Sequence, residues 1–294
     1  MFKNNNPNFF KTSDEEQIFY IKNFTKVDHN RPVLIFNYGL VCSSLHWQYQ
    51  TAYFDKHGFQ ILIHDYRGHF QSSGIHDVKK ITFPQMAKDI KDLCEYLDIN
   101  KAILLGHSMG VNVCLQMAKD FPDFIKAMVL ISGTFMSVKD VMFDSNITEF
   151  ITPFLYNSME KYPEVMKKIW STGGSNPLAK FIIHTTGFNK NKVSKEFVEI
   201  YLNRVGQLGP ELFFQLFSEM TKQNIAASLD QMKMPILVMG GYKDQVIPNH
   251  MQRTLASLLE NSETYFLKDG SHVPQADFPD LINERIHFFI EKNL

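Results

Sequence analysis

Four short apolar runs punctuate the first half of the chain: VLIFNY at 33–38, ILIHDY at 61–66, AILLGHS at 102–108 and AMVLISG at 127–133. Their hydrophobicity is continuous rather than alternating, as expected of parallel strands covered on both faces. Residues 83–98 carry Met86, Ile90, Leu93 and Leu97 at i, i+4, i+7 and i+11, a stripe of helical period that would cover such a sheet. The third run passes straight into a second helical segment, 109–120, closed by Phe121-Pro122. Strands alternating with helices demand right-handed crossovers and predict an α/β, doubly wound, mostly parallel sheet. Upstream, IFYIKNF at 18–24 predicts an antiparallel edge strand.

The alternation stops after residue 133. From 134 to 231 the period is mostly helical, punctuated by Gly173-Gly174, Pro163, Pro177 and Gly209-Pro210. It resumes with PILVMGG at 235–241, a helix over 249–260, ETYFLKDG at 263–270 and a closing helix from about Asp277. The expected organisation is one core, 1–133 with 232–294, interrupted by a helical cap insertion at 134–231.

Composition narrows the function classes. Thirty basic against thirty-one acidic residues leave a net charge of −1, with no global field to recruit a polyanion or an acidic lipid. No nucleic-acid partner and no stable membrane association are expected. Cys42, Cys94 and Cys114 show no metal-ligand or CxxC spacing and sit in apolar or helical contexts, so they read as reduced structural thiols. The polar start, MFKNNNPNFFKTSDEE, lacks the apolar core of a secretory signal, and a cytoplasmic location is expected.

The chemistry gathers at GHSMG, 106–110, which fits Gly-x-Ser-x-Gly where a strand meets a helix. A sharp turn there would strain Ser108, leave its Oγ exposed above the sheet, and present helix N-terminal N–H groups to an oxyanion. In this motif and its setting the sequence resembles the α/β-hydrolase superfamily, over nearly the whole chain except the cap. In that fold's numbering the cap falls after the sixth strand. The resemblance implies an order of nucleophile, acid, then histidine. GGYKDQVIP at 240–248 makes Asp244 the acid, and DGSHVP at 269–274 makes His272 the base. The gaps are 136 residues from Ser108 to Asp244, spanning the cap, and 28 from Asp244 to His272, room for one βα unit. His272 would take the Ser108 proton and return it to the leaving group, while Asp244 holds the imidazole tautomer.

NYGLVCSSLHW at 37–47 resembles the family's oxyanion loop, with Tyr38-Gly39 where His-Gly is usual. The resemblance implies an oxyanion hole built from the N–H groups of Leu40 and Met109. DYRGHFQSSG at 65–74 resembles the Asp-x-Arg-Gly-x-Gly-x-Ser stretch, with Phe70 where Gly is usual, and makes Asp65 and Arg67 framework residues. His64 and His69 flank Asp65 but fall on opposite faces by strand period, so no metal site is expected, and the proposed chemistry needs no cofactor.

The substrate is less legible. The stretch 134–231 holds ten basic and ten acidic residues, so its charge selects nothing. FITPFL at 150–155 and LFFQLF at 212–217 would either line a pocket or pack the cap on the core. The expectation is a small-molecule, uncharged, partly hydrophobic acyl substrate, and a serine hydrolase of carboxylic esters acting through an acyl-enzyme on Ser108. Family members that hydrolyse carbon–carbon bonds, lactones, lysophospholipids or peptides share the triad. So do non-catalytic ligand receptors on the same fold.

Overall fold

The apolar runs form the centre of one sheet. A computed structural model describes residues 7–72, 77–138, 161–171 and 192–294. Strands β1 (Asn8–Lys11), β2 (Gln17–Lys22), β3 (Val33–Asn37), β4 (Ile61–His64), β5 (Ala102–His107), β6 (Ile125–Ile131), β7 (Ile236–Gly241) and β8 (Ser262–Leu267) lie in the order β1-β2-β4-β3-β5-β6-β7-β8. β1 and β2 are antiparallel to their neighbours, and the other six strands run parallel. Every residue of β3, β4, β5 and β7 is buried, which is why these segments read as unbroken hydrophobic runs.

Helices close the layers. Between β3 and β4 lies α1 (Gln48–Lys56), and between β4 and β5 lies α2 (Phe83–Tyr96), whose first turn is capped by the Thr82 hydroxyl accepting from Gln85 N–H at 3.3 Å. Then follow α3 (Met109–Asp120), α4 (Pro163–Trp170), α5 (Lys195–Leu208), α6 (Pro210–Lys222), α7 (Asn249–Leu258), α8 (Pro274–Asp277) and α9 (Pro279–Asn293). α2 packs on α3, and α1 on α9. The predicted stripe of α2 is buried at Met86, Ile90 and Leu93. The chain order β3, β4, β5 places β4 on one side of β3 and β5 on the other. The strand order therefore reverses beside β3, the kind of switch point at whose carboxyl ends open α/β sheets place their ligand crevice.

Two elements differ from expectation. The edge is a hairpin rather than a single strand, because β1 adds to β2 with Phe9 half exposed and the Phe10 ring 5.3 Å from that of Tyr96. The closing helix begins as the short α8 and restarts at Pro279, whose ring suits a first helical turn.

The segment joining β6 to β7 contributes α4, α5 and α6 among the described residues. Leu212 and Leu216 of α6 are fully buried in the main core, so LFFQLF packs this segment down; FITPFL lies outside the described residues. Polar ties reinforce the seat. Asn112 Nδ2 donates to Gln223 Oε1 at 2.6 Å, Gln223 Nε2 donates back to the Asn112 carbonyl at 3.2 Å, and Gln215 Nε2 donates to the Ile81 carbonyl at 3.0 Å. Among the described residues no helix is long and apolar enough to cross a membrane.

Candidate active site

Ser108 sits on the turn between β5 and α3 with φ 54° and ψ −121°, a left-handed backbone that a non-glycine residue adopts at a cost of about 1–2 kcal/mol. The surrounding structure over-determines it. Ser108 N–H donates to the Ile131 carbonyl at 2.9 Å, and its own carbonyl accepts from Val111 N–H at 2.9 Å. The glycines two residues either side permit the close approach. A Cβ on Gly110 would stand 2.1 Å from the Asn37 carbonyl oxygen, and one on Gly106 would stand 2.7 Å from the Gly110 carbonyl oxygen. The turn leaves Ser108 at the carboxyl end of β5, partly exposed while its neighbours in β5 and α3 are buried.

Asp244 and His272 arrive from the ends of the next strands but one and two. After β7 the chain turns on Asp244, whose Oδ1 accepts from Val246 N–H at 2.9 Å and Ile247 N–H at 3.0 Å. Two neighbouring side chains secure that turn: Asn249 Nδ2 donates to the Gly241 carbonyl, and Gln252 Nε2 donates to Asp244 Oδ2 at 3.2 Å and to the Ile247 carbonyl at 2.9 Å. After β8, Ser271 N–H donates to Asp277 Oδ2 at 2.6 Å, which fixes the loop carrying His272. The two loops are stitched together by Lys243 N–H donating to the Gly270 carbonyl at 2.9 Å and by the Lys243–Asp269 ion pair at 2.6 Å.

The three side chains converge. His272 Nδ1 lies 3.1 Å from both Asp244 oxygens, and its Nε2 lies 3.0 Å from Ser108 Oγ. The Asp244 side chain is fully buried and that of His272 is 11% exposed. An acceptor-only carboxylate on Nδ1 selects the tautomer whose Nε2 carries a lone pair toward the hydroxyl. Such an arrangement can take a proton from Oγ and give it to a departing group.

The loop after β3, which carries Leu40, runs beside the serine. A Cβ on Gly39 would approach Ser108 Cβ to 2.9 Å, so the backbone before Leu40 runs directly against the Ser108 turn. Met109 N–H belongs to the first residue of α3 and has no acceptor within the helix. Beyond it, Val41 is left-handed at φ 57°. His46 then seats the loop: its Nδ1 lies 3.0 Å from Ser43 N, and its ring meets those of Phe197 and Tyr201 of α5 edge-on at 5.1 and 5.5 Å. Burial pushes His46 down to about 4, so it is a neutral packing group.

Other singled-out residues are structural. Arg67 is buried between Asp89, at 2.5 Å from Nε and 2.6 Å from Nη2, and Asp14, at 3.1 Å from Nη1. His64 Nε2 rests on Asn37 Oδ1 at 3.3 Å and His69 Nδ1 on the Arg67 carbonyl at 2.9 Å; burial pushes them down to about 3 and about 4. Cys42, Cys94 and Cys114 are free and buried, and burial pushes the Cys42 thiol up to about 12.

Sequence reasoning missed two neighbours. His107, at the position before the serine, directs Nε2 to the His272 carbonyl at 2.8 Å and ties the two loops together; burial and the nearby His272 hold it well below the usual histidine range. Gln252 was also missed. A glutamine among the buried positions Met251, Leu255 and Ala256 of α7 was the available signal.

Comparisons with known proteins agree with this architecture. The chain belongs to the α/β-hydrolase fold family, which it matches over residues 32–279. It is 26% identical over 292 residues to the bifunctional esterase/perhydrolase DCH of Acinetobacter calcoaceticus, covering 96% of this chain and 99% of that one. It is 22% identical over 269 residues to human protein ABHD8, where the match covers 88% of this chain but only 55% of the relative. In three dimensions it superposes on a thermophilic esterase from Thermogutta terrifontis with a TM-score of 0.75 at 20% identity, over 98% and 99% of the two chains.

Proposed function

We propose that the protein is a serine hydrolase of carboxylic esters, working through an acyl-enzyme on Ser108. The observation that carries this reading is the His272 ring, which spans from Ser108 Oγ at 3.0 Å to the Asp244 carboxylate at 3.1 Å across three separate strand ends. In the first half-reaction His272 Nε2 takes the Oγ proton as Oγ bonds to the ester carbonyl carbon. The N–H groups of Leu40 and Met109 receive the developing oxyanion. The tetrahedral intermediate collapses by breaking the bond to the alkoxy group, which leaves with the proton held on His272. Water then enters with His272 again as base, releases the carboxylic acid and restores Ser108. No step draws on a metal or redox cofactor.

Residues 134–231 act as the cap over the core formed by 1–133 and 232–294, and the substrate is a small to medium, partly hydrophobic acyl ester. The esterase activity in the name of the Acinetobacter relative, matched over nearly the full length of both chains, supports this choice within the family. The test is hydrolysis of p-nitrophenyl esters from acetate to palmitate by wild type and Ser108→Ala. Turnover by the wild type that disappears in the folded variant is the expected result. Turnover retained by Ser108→Ala overturns the mechanism. A stable adduct without turnover would make the protein a ligand receptor on this fold.

A further inference from the structure

We infer that Gln252 of α7 is a positioning residue for Asp244, holding the second carboxylate oxygen so that the acid stays aimed at His272; this rests on the proposed roles of Asp244 and His272. The two oxygens are supported differently. Oδ1 receives two backbone donors, Val246 N–H at 2.9 Å and Ile247 N–H at 3.0 Å. Oδ2 receives, apart from His272, Gln252 Nε2 at 3.2 Å. The carboxylate is fully buried, so water does not replace a missing donor without entering the core.

The orientation of the Gln252 amide follows from its neighbours. Both atoms facing Nε2, the Asp244 carboxylate and the Ile247 carbonyl, accept hydrogen bonds, so only the N–H₂ end fits there. The amide oxygen points the other way, buried and without a partner among the described residues, toward the strand β7. It fits because residue 240 is glycine: a Cβ there would stand 2.0 Å from Gln252 Oε1. A fully buried glutamine with an orphaned oxygen is a costly residue for a helix face that otherwise buries Met251, Leu255 and Ala256. Its two donations to the acid turn are what it supplies in return. Because one nitrogen bonds both the Asp244 carboxylate and the backbone of the Asp244 turn, it fixes the carboxylate's rotation and the loop's position together.

Two variants and three readouts decide the matter. Gln252→Met keeps the length and bulk but removes both donors. Its kcat on a short-chain p-nitrophenyl ester should fall about tenfold to a hundredfold, the effect of one hydrogen bond to a charged group, with KM little changed. In the proton NMR spectrum of the substrate-free protein, the low-field signal of the His272 Nδ1–H should move or exchange faster. A lowered melting temperature with kcat and the low-field signal both unchanged would overturn the inference, because only packing would then have been lost.

Gln252→Glu serves if the methionine variant fails to fold. When protonated, the introduced carboxyl donates one O–H to Asp244 Oδ2, and when ionised it faces a like charge. The ratio of its kcat/KM to that of the wild type should therefore fall as pH rises, and a flat ratio overturns the inference. Absence of Ser108-dependent turnover in the wild type would refute the proposed function, while the low-field signal still reads the Asp244–His272 bond and its dependence on Gln252.

Discussion

Asp65, at the carboxyl end of β4, offers the sharpest test of the physical reasoning. The side chain is 2% exposed, accepts from Gln71 N–H at 3.2 Å on Oδ2, and stands 3.4 Å from the Tyr38 hydroxyl on Oδ1. Burial pushes its carboxyl from 3.8 up to about 6, against the opposing pull of the Gln71 N–H, the Arg204 charge and the Tyr38 hydroxyl. The native state therefore holds this proton more tightly than the unfolded chain does. The sign follows by linkage: stability is greatest below about pH 4, declines as pH rises from about 4 to about 6, and stays reduced above that. Two pH units correspond to about 3 kcal/mol at neutral pH, an upper value. Asp65→Asn removes the buried charge. Its amide oxygen can still accept from Gln71, while the Tyr38 hydroxyl loses its acceptor at a cost of about 1 kcal/mol. A net gain of about 2 kcal/mol is expected at pH 8, shrinking toward zero near pH 4.5. Urea unfolding of both proteins across that range checks it. A variant no more stable than wild type at pH 8, or an advantage that does not depend on pH, would show that the carboxylate is solvated or otherwise compensated.

Other consequences follow from the same geometry. Arg67→Met leaves Asp89, 4% exposed, without its guanidinium, and should cost about 3–5 kcal/mol in urea unfolding; adding Asp89→Leu should recover much of the loss, and a single-variant cost under about 1 kcal/mol would contradict the buried pairing. Gly110→Ala would set a Cβ 2.1 Å from the Asn37 carbonyl and must drive α3 away from β3, so it should give insoluble protein or a melting temperature many degrees lower, read by thermal denaturation. Asp244→Asn, with the fold intact by circular dichroism, should lower kcat by about 10⁴ because the amide no longer selects the Nδ1–H tautomer; a loss below tenfold would remove Asp244 from the mechanism.

The parts of this molecule legible in the sequence are those whose signals are local. Ser108 and Asp244 each follow an apolar run that ends in glycine and polar residues, and His272 follows the mixed stretch ETYFLKDG, which also ends in a glycine turn, so strand, strand end and candidate side chain can be read together. The succession of strands along the chain and the segment separating β6 from β7 follow from where that pattern stops and resumes, while their order in the sheet comes from the structure. β1 was hidden because an edge strand of four residues buries little, and its positions alternate between partly buried and exposed. α1 was hidden because two of its three buried positions, Gln50 and Thr51, are polar. Gln50 earns burial only through distant partners, donating to the Gln275 carbonyl at 2.9 Å and Asn283 Oδ1 at 3.0 Å. Gln252 and His107 belong to the same class: their meaning lies in the groups they touch across the fold.

The two departures from the family's sequence pattern, Tyr38 and Phe70, prove to be neighbours, and together they explain each other. Tyr38 is fully buried; its hydroxyl accepts from Tyr66 N–H at 3.1 Å and lies beside Asp65, and its ring centre is 6.3 Å from that of Phe70. Phe70 stands at a position where glycine is usual, and its backbone still adopts the left-handed conformation, with φ 41°. That conformation costs a side-chain-bearing residue about 1–2 kcal/mol. The ring offsets it by packing near Tyr38 and His69 and by the Arg204 guanidinium of α5 lying 4.7 Å from its centre, a cation–π contact of about 0.5–1 kcal/mol at a partly exposed site. A glycine at 70 would relieve the backbone but leave Arg204 without that ring. A histidine at 38, being shorter, would not carry a hydroxyl to Tyr66 N–H. The pair thus joins the loop beside the Ser108 turn to the segment between β6 and β7, a link made by side chains 32 and 134 residues apart in the chain.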